Sequence, residues 1–153
     1  MNPDYQDMLS ALSEEGAEFL VIGAYALAAH GNPRATADID IWVKPSPDNA
    51  ERVYRALQRF GAPMEQITLG DLSTEDIVFQ IGIKPRRIDI LTSASGIEFD
   101  EAWIDRLAVT VGEVEVFVLR IRPEITKASL GLGRYRGNAE DRSAHRRRCA
   151  LKV

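Results

Sequence analysis

With 153 residues the chain has room for one domain with a sizeable core and little room for a second. Its 45% hydrophobic and 27% charged fractions are ordinary for a soluble globular protein, and its two most apolar runs, Phe19 to Ile22 and Val114 to Leu119, are far too short to span a bilayer. The opening Met-Asn-Pro-Asp-Tyr lacks the basic-then-apolar pattern of a secretory leader. A single cysteine, Cys149, excludes an internal disulfide and a cysteine-rich zinc site, so a reducing cytoplasm is the expected compartment.

The net charge of −4 conceals an asymmetry. Residues 120–153 carry ten Arg or Lys against three acids, so the remainder is strongly acidic. Such a tail either meets a phosphate-bearing partner or neutralises its own body, and the second is the plainer account. Arg146-Arg147-Arg148 then reads as a solvated helix end.

Along the chain, Tyr5, Met8, Leu9 and Leu12 recur at helical spacing and predict a helix over 4–15, ended by Gly16. Glu18-Phe19-Leu20-Val21-Ile22 reads as a buried strand. After Gly23, Ala24 to His30 is rich in helix formers, and Gly31-Asn32-Pro33 stops that helix. Ala37 to Val43 alternates acids with large apolar residues, the period of a strand with two unlike faces. Ser46 caps a helix running to about Phe60, with Val53, Leu57 and Phe60 as its buried stripe. Asp71 to Asp76 reads as a turn or short helix, and residues 77–81 and 87–91 as strands. Phe99 to Leu107 suggests a helical turn or two, and Gly112-Glu113 joins 109–111 to 114–118 as a hairpin. From about 123 to 153 a basic helical segment is expected. The pattern predicts one α/β (α+β) domain over residues 1–153, a mixed sheet with helices packed on it.

The chemistry concentrates in carboxylates. Asp38 and Asp40 are two apart on a strand, so both side chains leave the same face while Ile39 and Ile41 point to the core. Two carboxylates rooted about 6–7 Å apart repel unless a cation lies between them, and hard oxygen ligands suit Mg²⁺ or Mn²⁺ rather than zinc. The plain alternative is an edge strand with a solvated face, although Asp is a poor strand former. Three neighbours favour the metal. Val21-Ile22-Gly23-Ala24 is a strand ending in a small-residue turn into a helix, either an ordinary turn or one that admits a phosphate. Arg34-Ala35-Thr36 precedes the Asp pair and can reach an anion. Asp89 sits in Arg87-Ile88-Asp89-Ile90-Leu91, either paired at the surface with Arg87 or a third carboxylate of the cluster.

Read together, Val21-Ile22-Gly23-Ala24-Tyr25-Ala26, His30-Gly31, Arg34-Ala35-Thr36-Ala37-Asp38-Ile39-Asp40 and the later Asp89 resemble the polymerase-β-type nucleotidyltransferase superfamily. The likeness is closer to its small bacterial members, including those of abortive-infection toxin systems, and it extends over residues 18–92. It implies that Asp38 and Asp40 hold Mg²⁺ or Mn²⁺ together with a nucleoside triphosphate. It further implies that Asp89 completes the metal site and helps deprotonate the acceptor, and that Gly23, Ala24, Arg34 and Thr36 line the nucleotide. Ala24 stands where the family often has a second glycine. The implied activity is metal-dependent transfer of a nucleoside monophosphate to an acceptor hydroxyl. The alternative is a catalytically weak nucleotide-binding or toxin–antitoxin module with the same fold. The acceptor stays open among RNA such as tRNA, protein side chains and small aminoglycoside-like molecules, and a homodimer or an antitoxin are the partners to consider.

Other motifs carry less. Gly131-Leu132-Gly133-Arg134-Tyr135-Arg136-Gly137 follows no strand and lacks the Gly-Lys-Ser/Thr ending of a P-loop, so it reads as a loop. His30 and His145 are too few and too separated for zinc, and Trp42 and Trp103 read as core or interface residues rather than base-stacking platforms.

Overall fold

Strand-forming runs separated by caps and glycines produce the element order seen in the computed structural model, which describes residues 1–33 and 35–120 and the backbone of 146–149. The elements are α1 (Pro3–Glu14), β1 (Phe19–Ile22), α2 (Gly23–Ala29), β2 (Asp38–Val43), α3 (Pro47–Phe60), a 3₁₀ turn (Met64–Gln66), α4 (Leu69–Leu72), β3 (Val78–Ile81), β4 (Arg87–Leu91), α5 (Phe99–Ile104), β5 (Leu107–Val111), β6 (Val114–Val118) and β7 (Arg146–Cys149). The strands form one mixed sheet in the order β5-β6-β1-β2-β4-β3-β7. The α/β architecture with helices packed on a mixed sheet is therefore as expected. Among the described residues no helix is long and apolar enough to cross a membrane.

Local chemistry sets the boundaries. Asn2 accepts from the Asp4 N–H at 2.9 Å and opens α1, and Ser46 accepts from the Asn49 N–H at 3.3 Å and opens α3. The short helix expected within 71–76 begins earlier, at Leu69. Thr68 and Asp71 form a reciprocal capping box there, with side-chain-to-backbone distances of 3.1 and 3.0 Å. Of the basic segment expected to be helical from 123 onward, Arg146–Cys149 instead runs as a strand parallel to β3, because the outer edge of β3 presents unpaired backbone groups. The remainder of that segment, the 131–137 loop and His145 lie outside the described residues.

Each strand's alternation sorts its residues onto two unlike sheet faces. On one face Phe19, Val21, Ile39, Ile41, Val43, Phe79, Ile81, Ile88 and Ile90 pack against Met8, Leu9 and Leu12 of α1 and Val53 and Leu57 of α3. On the other, Leu20, Ile22 and Trp42 join Phe99 and Ala102 of α5, and an aromatic chain continues through Trp103 to Phe117 with ring centroids 5.1–5.6 Å apart. Trp42 is indeed a core residue. This second face is apolar at one end only. Two residues before Trp42 and two before Leu91 it carries Asp40 and Asp89.

One buried polar residue secures the helix layer to the sheet. Asn49, 1% exposed, accepts from the Glu18 N–H at 2.7 Å and donates to the Glu18 and Lys44 carbonyls at 3.0 Å each. It thereby joins the first turn of α3 to the chain entering β1 and leaving β2. Asn49→Ala strands the Glu18 N–H, while the Glu18 and Lys44 carbonyls keep the Lys44 and Ser46 N–H groups at 3.2 and 3.0 Å. Urea denaturation is expected to show a loss of about 1–3 kcal/mol with an unchanged m-value.

Candidate metal and nucleotide site

The site is made by register. Parallel pairing of β2 with β4 sets Asp40 beside Asp89 and Asp38 beside Arg87. Because side chains alternate along a strand, all four groups stand on the same face. The three acids singled out by sequence are thus brought together. β2 lies between β1 and β4, so Asp38 and Asp40 are on a central strand and not on the edge strand that was their plain alternative.

Arg87 is the group that sequence reasoning undervalued. Its Nη2 donates to Asp38 Oδ2 at 2.6 Å and to Asp89 Oδ2 at 3.0 Å, so one guanidinium bridges two strands. Asp89 also accepts from Gln80 Nε2 on β3 at 3.3 Å. Arg87 Nε stands 2.8 Å from Asp89 Oδ1, at ion-pair distance, but its N–H is not aimed there, and both atoms are buried without a hydrogen bond. With side-chain exposures of 23% for Arg87, 21% for Asp38 and 9% for Asp89, this is no solvated surface pair. The period-two spacing of Arg87 and Asp89 signals a shared face. The partnership with Asp38 has no sequence signal, since it depends on which strands pair.

Asp40 is held differently. Its carboxylate fills the space that a side chain at position 23 would need. A Cβ on Gly23 would fall inside the contact radius of Asp40 Oδ2 and 3.2 Å from its Cγ. Gly23 also has φ +69°, the left-handed region that disfavours other residues. The glycine thus makes room for a carboxylate at the start of α2. Ala24 follows it, half-buried. Burial, then the charges of Asp89 and Asp38, push the Asp40 carboxyl up to about 7 against a smaller opposing effect of Arg87. Burial likewise raises Asp89, with Arg87 pulling the other way.

The entrance to both strands is held by Tyr5. Its buried hydroxyl lies 3.4 Å from the carbonyls of Ala37 and Pro85, and its ring meets Tyr25 edge-on at 5.8 Å. Burial, then Tyr25, Asp38 and Asp89, raises its hydroxyl to about 12. Thr36 directs its hydroxyl at Asp38, 2.9 Å from both the backbone carbonyl and Oδ1, so it braces that acid. Arg34 lies outside the described residues. His30, near the cleft, reaches the Leu119 carbonyl with Nε2 at 3.1 Å.

The donors gathered here are hard carboxylate oxygens, the kind that a divalent cation such as Mg²⁺ takes, and burial disfavours Asp40 as a lone anion. Among the described residues no three His, Cys, Asp or Glu side chains are arranged so that they could hold a metal ion. The guanidinium of Arg87 lies between two of the acids instead.

Residues 1–129 match the family described as nucleotidyl transferase of unknown function (DUF2204), and the chain belongs to that family. No curated protein and no solved structure matches it.

Two outcomes follow from the site's geometry. Gly23→Ala is expected to cost about 2–4 kcal/mol in urea denaturation, from overpacking plus the left-handed φ. In an Asp40→Ala background the same change should cost only about 1–2 kcal/mol, because the carboxylate it strikes is gone. The second outcome concerns pH. The folded pKa of Asp40 lies above its unfolded value, so its contribution is most favourable at low pH and is lost as pH rises from about 4 through about 7. In chelator-treated protein Asp40→Asn should therefore exceed wild type in stability at pH 8, by up to about 4 kcal/mol, and the gap should close by pH 4.

Proposed function

We propose that this member of the family transfers a nucleoside monophosphate from a nucleoside triphosphate to an acceptor hydroxyl, with Asp38, Asp40 and Asp89 holding divalent metal. The observation that carries the proposal is the β2–β4 register, which gathers three carboxylates and one arginine on a single sheet face. Membership of a nucleotidyl transferase family supports the reaction class. The likeness of residues 18–92 to polymerase-β-type enzymes supports the assignment of roles.

In this reading Asp38 and Asp40 offer oxygens from β2 and Asp89 from β4. Bound Mg²⁺ or Mn²⁺ would neutralise developing charge on the attacking and leaving oxygens. The protein's own work is positioning. Gly23 keeps Asp40 close against the start of α2, whose first turn has no side-chain cap and would face the phosphates together with Ala24. Thr36 orients Asp38. Asp89 would take the acceptor's proton. Arg34 would meet the triphosphate. The acceptor, whether RNA, a protein side chain or a small polyhydroxyl molecule, is a matter of pocket shape that fold analogy does not supply.

A second reading, a nucleotide-binding or toxin–antitoxin module with little turnover, draws on one observation: Arg87 already neutralises two of the three acids. The same experiment separates the two. The protein is incubated with each α-³²P nucleoside triphosphate, Mg²⁺ and total cellular RNA or protein. Label should enter one fraction, and Asp38→Ala and Asp40→Ala should reduce it on the order of a hundredfold or more. Wild-type labelling no higher than that of the two variants would leave only the binding module.

A further inference from the structure

We infer that Arg87 is a resident counter-cation that keeps the place of a divalent ion, so that metal loading requires its guanidinium to leave Asp38 and Asp89. The inference rests on the metal-site reading above and adds a gate to it.

The geometry is that of a shared position. Arg87 Nη2 lies 2.6 Å from Asp38 Oδ2 and 3.0 Å from Asp89 Oδ2, between one oxygen of each strand. A divalent cation held by Asp38 and Asp89 would compete for the space of that nitrogen. Both cannot be there together. Arg87 is also an incomplete substitute. It meets Asp89 Oδ1 only through the poorly aimed Nε contact at 2.8 Å, and it makes no ion pair with Asp40, which faces the other acids with no cation in contact among the described residues. A divalent ion carries twice the charge and takes several oxygens at once, whereas a guanidinium presents a planar fork. The site therefore holds together without metal, yet retains unmet acceptor capacity that favours exchange of arginine for metal.

The alternative role for Arg87 is a strut that holds the acids in ligating geometry. The two roles predict opposite signs. If Arg87 keeps the metal's place, removing it frees two carboxylates and tightens metal binding. If it is a strut, removing it lets the like charges separate and weakens binding.

The test is Mn²⁺ binding to the full chain, followed by electron paramagnetic resonance of the free ion, for wild type, Arg87→Gln, Arg87→Lys and Asp40→Asn. Arg87→Gln is expected to bind Mn²⁺ at least tenfold more tightly than wild type while losing thermal stability in chelator, and Mn²⁺ should restore that stability. Asp40→Asn should bind more weakly, which ties the signal to this site. If Arg87→Gln fails to fold by circular dichroism, Arg87→Lys is read in its place. Its single ammonium cannot fork across two carboxylates as a guanidinium does, so it too should bind more tightly than wild type, by a smaller factor. Binding by the folded variant equal to or weaker than wild type overturns the inference and leaves the metal-site reading intact. No Mn²⁺ binding by any form overturns both.

Discussion

The pairing of β2 with β4 is the constraint on which the rest depends. Five successive residue pairs fix its register, from Asp38 beside Arg87 to Trp42 beside Leu91. On the face toward α1 and α3 the pairs are Ile39 with Ile88 and Ile41 with Ile90, all buried. A slip of one residue would turn those isoleucines to the carboxylate face and drive the acids into the core. The apolar face therefore holds the register, and the register in turn forces Asp40 against Asp89. The charge cluster is stabilised by hydrophobic burial on the opposite side of the same strands.

Concentrating three carboxylates at a half-buried position costs free energy, and the structure offsets it in three ways. Arg87 supplies a positive charge to two of them. Gly23 surrenders its side chain so that the third can withdraw against α2. Burial then raises Asp40, so that a proton can stand in where a cation is not in contact. None of these devices improves the core. They are what a fold does when it keeps acids together for a reason other than stability, and they agree with membership of a nucleotidyl transferase family.

Sequence patterning and the structure agree most closely where the signal is local. The stripe Tyr5, Met8, Leu9 and Leu12, the Ser46 cap and the Gly112-Glu113 turn each specify an element through contacts within a few residues, and α1, α3 and the β5–β6 hairpin lie where they were expected. Agreement weakens where a partner is distant. The helix at Leu69 depended on a Thr68–Asp71 box that hydrophobic periodicity does not report. Arg146–Cys149 pairs with β3, more than sixty residues earlier, although its basic composition suggested a helix end.

The site divides along the same line. Sequence alone determined that Asp38 and Asp40 share a face and that Ile39 and Ile41 share the other, because alternation along a strand is a property of the backbone itself. It also determined that Gly23 ends a strand beside a turn. Only the tertiary structure decided that Asp89 is the neighbour of Asp40 and that Arg87 clasps Asp38. Only there does the absent side chain of Gly23 become room for a carboxylate. Those facts follow from which strands pair and in what register, a choice made by the buried faces of β2 and β4 together and by neither strand alone.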